Sequence, residues 1–154
     1  MSKFNIVLHS PEIPGNTGSI GRTAVALDLK LILIKPIAFD LSEKAVRRAG
    51  LDYWKHVDLK IYEDFEDFLT HEQPTLEQLT FFTKTAQKSI FKHTFKPNDY
   101  LIFGSETKGL PENILQKYKE HTLSFPMYSD HIRSLNLSNV ATAAAYEVVR
   151  QLEF

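Results

Sequence analysis

The feature that most constrains this chain is a recurrence of short, almost uninterrupted apolar runs, separated by stretches with helical spacing. Lys3 to His9, Leu31 to Ile34, Leu79 to Thr83 and Tyr100 to Phe103 are each only a few residues long. Runs of that length, apolar at successive positions, suit strands that are covered on both faces. Val57 to Tyr62 and Thr122 to Phe125, the latter stopped by Pro126, are two further candidates. Helical signals fall between them. Asn16 or Thr17 can cap a helix running to about Asp28, and Ser42 can cap a short one with Glu43 in its first turn. Phe65, Phe68 and Leu69 recur at helical spacing, and Pro111 opens a helix reaching about Tyr118. From about Ser138 to Leu152, Val140, Ala144 and Val148 lie beside Ala141, Ala145 and Val149 in one apolar stripe. Strands alternating with helices predict an α/β domain with a mainly parallel sheet and flanking helices, a single domain over 1–154.

Composition narrows the function classes. The chain has no cysteine, so neither a disulfide framework nor a thiolate metal site is open to it. A formal net charge of −1 argues against a generic coat for nucleic acid but leaves room for a local basic patch. No apolar run reaches the length of a membrane span or a signal-peptide core, which predicts a cytoplasmic protein with no membrane partner. The six histidines show no metal-ligand spacing, and no metal is expected.

In parallel sheets, ligands lie beyond the carboxyl ends of the strands. Three such ends carry unusual residues. Pro11 to Ala24 (PEIPGNTGSIGRTA) combines two prolines with Gly15, Gly18 and Gly21, and places Asn16 and Arg22 where a helix start could aim them at a ligand. A tight turn with glycines serving helix packing explains the same pattern. Leu101 to Pro111 (LIFGSETKGLP) brings Gly104 and Gly109 around Glu106, which could accept from ligand hydroxyls or neighbouring amides, or simply serve a helix start. Phe125 to Glu147 sets Arg133, Ser134, Asn136, Ser138 and Asn139 before an alanine-rich helix. A single cap at Asn136 or Ser138 would explain only one of those side chains. The small face Ala143 to Ala145 would permit close packing on another helix, including one across a dimer. Between these loops, Lys44, Arg47 and Arg48 share a helical face, and Tyr53 and Trp54 follow at once. Cations beside aromatics suit phosphate contact and base stacking, although a solvated face beside a core tryptophan fits equally.

Taken together, the three loops resemble the three motifs of the SPOUT-class methyltransferases. The similarity is greatest to the small tRNA wobble-nucleotide ribose 2'-O-methyltransferases. PEIPGNTGSIGRTA looks like the first motif, FGSETKGLP like the second and SLNLSNVATAAAYE like the third, while RRAGLDYW resembles a segment particular to that subfamily. The resemblance spans the whole chain and implies an α/β fold with a C-terminal trefoil knot, which general topology rules would not suggest. It further implies a homodimer with helices of both subunits around the site, and no separate RNA-binding domain.

By resemblance, S-adenosyl-L-methionine would be bound by Phe81, Thr83, Gly104, Glu106, Gly109, Phe125, Met127, Ser134 and Leu135. Arg22 and Tyr146 would be catalytic, and Asn16, Arg22, Arg47, Arg48 and Lys108 would contact a tRNA anticodon stem-loop. Phe82 stands where that family has a threonine, and the loop from Tyr128 to Arg133 is about one residue longer. The implied reaction is in-line methyl transfer to the 2'-oxygen of a wobble cytidine or modified uridine, in leucine tRNAs. Arg22 would position phosphate or the developing alkoxide, because a guanidinium with pKa above about 12 is a poor base. Another tRNA or rRNA ribose, a non-enzymatic RNA-binding relative of the same fold and an unrelated α/β enzyme are the competing readings.

Overall fold

The computed structural model describes residues 3–48 and 51–154, and only the main chain of residues 43, 46 and 47. Six strands, β1 (Asn5–His9), β2 (Lys30–Ile34), β3 (Asp58–Tyr62), β4 (Leu79–Phe82), β5 (Tyr100–Phe103) and β6 (Thr122–Leu123), form one sheet in the order β3-β2-β1-β5-β4-β6. Every pairing is parallel. The flanking helices are α1 (Pro14–Ala26), α2 (Glu43–Arg48), α3 (Phe65–Glu72), α4 (Glu112–Lys117) and α5 (Leu137–Glu153).

Neighbouring residues of a strand point to opposite faces, and here both faces are covered, which is why the strands read as continuous apolar runs. Ile6, Leu8, Leu31, Leu33, Leu101 and Phe103 pack with Ile20 and Ala24 of α1 and with Ala141, Ala144, Ala145 and Val148 of α5. Val7, Ile32, Phe81 and Ile102 face the other way, against Phe68 of α3, Ile114 of α4 and Tyr118. Each fully buried large side chain contributes roughly 1.5–3 kcal/mol, so both layers stabilise the sheet.

The strand order makes β1 the pivot. It pairs with β2 on one side and with β5 on the other. The connections leaving β1 and β5 therefore diverge at neighbouring strand ends, the topological switch point where open α/β sheets bind ligands.

Several boundaries depart from the sequence reading. Helix α1 starts at Pro14, not at a cap on Asn16 or Thr17, because proline's fixed φ suits the first helical position and Ile13 takes the cap place. It ends at Ala26, two residues early, since Asp28 turns left-handed at φ 54. Val57 stays outside β3 because its amide closes a turn onto Trp54 O at 3.0 Å. Strand β6 stops at Leu123, and Ser124 continues as a single bridge beside Ser89. The expected small face of the last helix is also corrected. Ala144 and Ala145 are fully buried against their own sheet, which leaves only Ala143 on the outside.

Candidate active site

The loop after β1 and the loop after β5 are clasped by two glutamates. Glu106 accepts the amides of Glu12 at 2.8 Å and Ile13 at 2.7 Å. In return, Glu12 accepts the Thr107 amide at 3.1 Å and its hydroxyl at 2.7 Å. Those bonds, led by the Thr107 hydroxyl and helped by the nearby Lys108 charge, hold the Glu12 carboxyl below its ordinary range. Glu106 thus serves the start of α1 from another loop, a task the sequence reading gave to Asn16 or Thr17.

Asn16 links this clasp to the third loop. Its amide donates to Glu106 Oε2 at 3.2 Å, and its carbonyl oxygen accepts from Asn136 Nδ2 at 3.2 Å. Asn136 in turn caps α5, accepting the amides of Ser138 at 2.9 Å and Asn139 at 3.2 Å. One polar relay, Glu106–Asn16–Asn136, therefore ties all three loops together. Asn16 is 8% exposed, which makes its partners part of the fold and leaves little of it for RNA.

The glycines shape the second loop. A Cβ on Gly104 would stand 2.2 Å from the main chain of Gly109 and Leu110, so only glycine lets the loop close on itself. Gly109 has φ 68 with open space beyond it. Ser105 and Gly109 exchange main-chain bonds at 3.2 and 3.0 Å.

The third loop is open. The main chain of Met127, Ser134 and Leu135 makes no hydrogen bond among the described residues, and Ser134 and Leu135 are exposed. Phe125 lies half-buried beside Phe82, ring centroids 6.1 Å apart. Phe82, the departure noted above, stacks on Phe103 at 4.6 Å, so its ring belongs to the core. Thr83 sits just past β4, its hydroxyl 3.1 Å from that of Thr85. Phe81 is fully buried and stacked on Tyr118 at 4.7 Å. Its side chain is spent in the core, and only its main chain is left for a bound molecule.

Arg22 and Tyr146 lie away from the relay. Arg22 is exposed on α1, its guanidinium 5.6 Å above the Tyr53 ring, and Tyr53 donates to Gly18 O at 2.8 Å. Tyr146 is 52% exposed on the outside of α5. At a rise of about 1.5 Å per residue, Arg22 stands roughly 9 Å along its helix from Asn16, and Tyr146 roughly 15 Å from the Asn136 cap. Arg48 and Lys108 are exposed, while the side chain of Arg47, with Ala49 and Gly50 of the RRAGLDYW segment, lies outside the described residues. Among the described residues no group of three or more His, Asp or Glu could hold a metal ion. His9, ending β1 beside the clasp, is pushed down by burial and so kept neutral.

The SpoU rRNA Methylase family matches residues 3–146. The chain belongs to that family. Within it, a protein named tRNA (cytidine(34)-2'-O)-methyltransferase from Burkholderia ambifaria is 38% identical over 152 residues, 98% of this chain and 97% of its own. A solved structure concerned with the 2-OH methylation of C/U34 on tRNA is 43% identical, with TM-score 0.88, covering 98% of this chain and 97% of its own. The SpoU methyltransferase AviRb of Streptomyces viridochromogenes, in complex with the cofactor AdoMet, is 28% identical with TM-score 0.80, covering 98% of this chain and 61% of its own. The family match covers the segments that carried the resemblance as far as Tyr146. Glu12 and Thr107, which lock two of them together, escaped the sequence reading. The only sign of them was a carboxylate between two prolines and a threonine after Glu106.

Proposed function

We propose that this SpoU-family chain methylates the ribose 2'-oxygen of the wobble nucleotide of tRNA, cytidine or modified uridine, with leucine tRNAs as substrates. S-adenosyl-L-methionine is the donor, and it supplies a methyl group made electrophilic by its sulfonium. The observation that carries this is the Glu106–Asn16–Asn136 relay at the strand switch point, in a chain aligned almost end to end with relatives named for that reaction.

The residues present fit such a donor. Unpaired main-chain groups of Met127, Ser134 and Leu135 suit an adenine edge, and Phe125 and the exposed Leu135 side chain offer apolar cover. Gly104 and Gly109 keep the second loop low enough for a ligand to lie against it, and Thr83 and the main chain of Phe81 complete the pocket wall. Glu106 acts chiefly by fixing that loop. Orientation of the acceptor oxygen is the main task left to the protein, and holding reactants in line removes much of the barrier.

Arg22 holds phosphate or the developing alkoxide, and the proton of the hydroxyl leaves to another acceptor. Arg22 and Tyr146 stand exposed on α1 and α5, and both act across a homodimer. Two faces support that assembly. Gly15, Ser19, Arg22 and Ala26 on α1, and Asn139, Ala143, Tyr146 and Arg150 on α5, are exposed at helical spacing, and small residues allow close approach. The two helices are already joined by a bond between Thr23 and Thr142 at 2.8 Å.

The trefoil knot belongs to the same proposal. Ser124 is gripped by the 88–90 segment, and Gln151 bonds Phe95 and His93, as expected where a loop encloses the chain end. Binding is through the anticodon stem-loop, with Lys108 and Arg48 toward phosphate, in the cytoplasm. No helix among the described residues is long and apolar enough to cross a membrane.

Mass spectrometry of leucine tRNA anticodon fragments from a deletion strain tests this. The 2'-O-methyl mark at the wobble position should be absent, return with the wild-type chain, and fail to return with Arg22→Ala. An unaltered wobble ribose in the deletion strain would overturn the proposal.

A further inference from the structure

A concavity lies along α1. Helix α1 encloses a cleft of about 200 Å³ together with residues 39–41, Ala45, Leu51 and Trp54. Its walls are largely apolar, formed by Pro14, Gly18, Phe39, Leu41, Leu51 and Trp54. Small-molecule sites run from roughly 300 Å³ upward, so this space suits a single planar ring rather than a whole cofactor.

Two polar groups line it. Thr17 is 1% exposed, and its hydroxyl has no hydrogen-bond partner among the described residues. Buried polar groups are nearly always paired, so this hydroxyl is available to a ligand that enters the cleft. Asp40 lines the same cleft, and hydrogen bonds from the Ser42 amide at 2.7 Å and hydroxyl at 2.9 Å hold its carboxyl below the ordinary range. It is therefore an ionised acceptor, suited to an exocyclic amine.

The surrounding charge points to the same class of ligand. Gly18 lines the cleft from α1, and Arg22 follows one turn later on the same face. Ala45 lines it from α2, and the exposed Arg48 follows three residues later. An apolar slot with an aromatic wall, a buried hydroxyl and an arginine one turn along each of the two lining helices matches an unstacked base with phosphate on either side.

We propose that this cleft receives one unstacked, amine-bearing nucleobase of the RNA substrate, from a loop nucleotide whose flanking phosphates meet Arg22 and Arg48. This rests on the tRNA reading above and adds a base-holding subsite to it.

Trp54 is the sole tryptophan of the chain, so its emission reports on the cleft directly. Saturation with an anticodon stem-loop RNA should quench it. The same RNA made abasic at one loop position at a time should lose the quenching at one position only. Ala45→Leu, which fills the cleft, should weaken RNA binding about tenfold and abolish quenching while leaving the affinity for S-adenosyl-L-methionine unchanged. Thr17→Val keeps the shape, guards against misfolding of the first variant, and should weaken binding about threefold.

A gel shift, independent of fluorescence, separates the two readings. No RNA binding at all defeats the tRNA reading and the cleft together. Binding with unchanged Trp54 emission defeats the cleft alone. Quenching that survives every abasic substitution, or wild-type RNA affinity in both variants, defeats it too.

Discussion

Two carboxylates at opposite ends of the sheet are both held by hydrogen bonds, yet by different kinds of partner. Glu72, near the starts of β2 and β5, accepts from Lys30 Nζ at 3.0 Å, from the Tyr100 hydroxyl at 2.9 Å and from the Tyr62 hydroxyl. All three are side chains on strands, and Glu72 itself is 7% exposed. Glu106, at the strand carboxyl ends, accepts two main-chain amides and Asn16. Glu72 fixes elements that the apolar core has already placed. Glu106 fixes loops, which the core cannot place, and so it sets the shape of the ligand end.

The most damaging way to test this contrast is Glu72→Ala, which leaves Lys30 and two half-buried hydroxyls without their acceptor. Breaking such a pair costs about 3 kcal/mol, read by urea denaturation, while methyl transfer per folded molecule should stay near wild type. Burial would raise the Glu72 carboxyl, but bonds from Tyr62, Lys30 and Tyr100 outweigh it and hold it below the ordinary range. Tyr62 is pushed up to about 12, by burial first and by Glu72 second. The Glu72 contribution is therefore complete at neutral pH and is lost as pH falls through its lowered folded value. Glu72→Gln and wild type should converge in acid.

Asp99 sharpens the comparison by running the other way. It is 3% exposed, accepts the Lys96 amide at 2.8 Å, and burial pushes its carboxyl up to about 6. Its folded value lies above the unfolded one, so it costs nothing in acid and destabilises the fold as pH rises through that value. Asp99→Asn, which keeps the acceptor for Lys96, should gain about 2 kcal/mol near pH 8, and the gain should vanish below about pH 4.

Glu106→Gln should cost less stability, about 1–2 kcal/mol, because its partners border solvent. Its affinity for the methyl donor should nevertheless fall more than about tenfold, equivalent to about 1.4 kcal/mol. Thr107→Val should give the smallest change, about 0.5 kcal/mol in stability, since it removes one exposed hydroxyl shared between the two Glu12 oxygens and leaves the Glu106 half of the clasp intact. Equal losses of donor affinity in Glu72→Ala and Glu106→Gln would erase the distinction.

The same contrast explains what was legible in the sequence. Strand β5 was read to the residue, because an apolar run covered on both faces leaves no alternative. The start of α1 was misread because its capping acceptor, Glu106, lies 93 residues from Ile13, and local spacing cannot reveal a partner that far away. At Phe81 only the main chain is free for the donor pocket, because strand alternation sends its ring to the face of α3 and α4, and spacing alone does not tell ring from main chain. The cleft beside Trp54 was invisible because two distant segments make its walls.

Calorimetric titration of S-adenosyl-L-methionine into wild type, Asn16→Ala and Glu72→Ala tests the central claim most directly. Asn16→Ala, which breaks the relay between the three loops, should lose most donor affinity while Glu72→Ala retains it. Full binding by Asn16→Ala would contradict it.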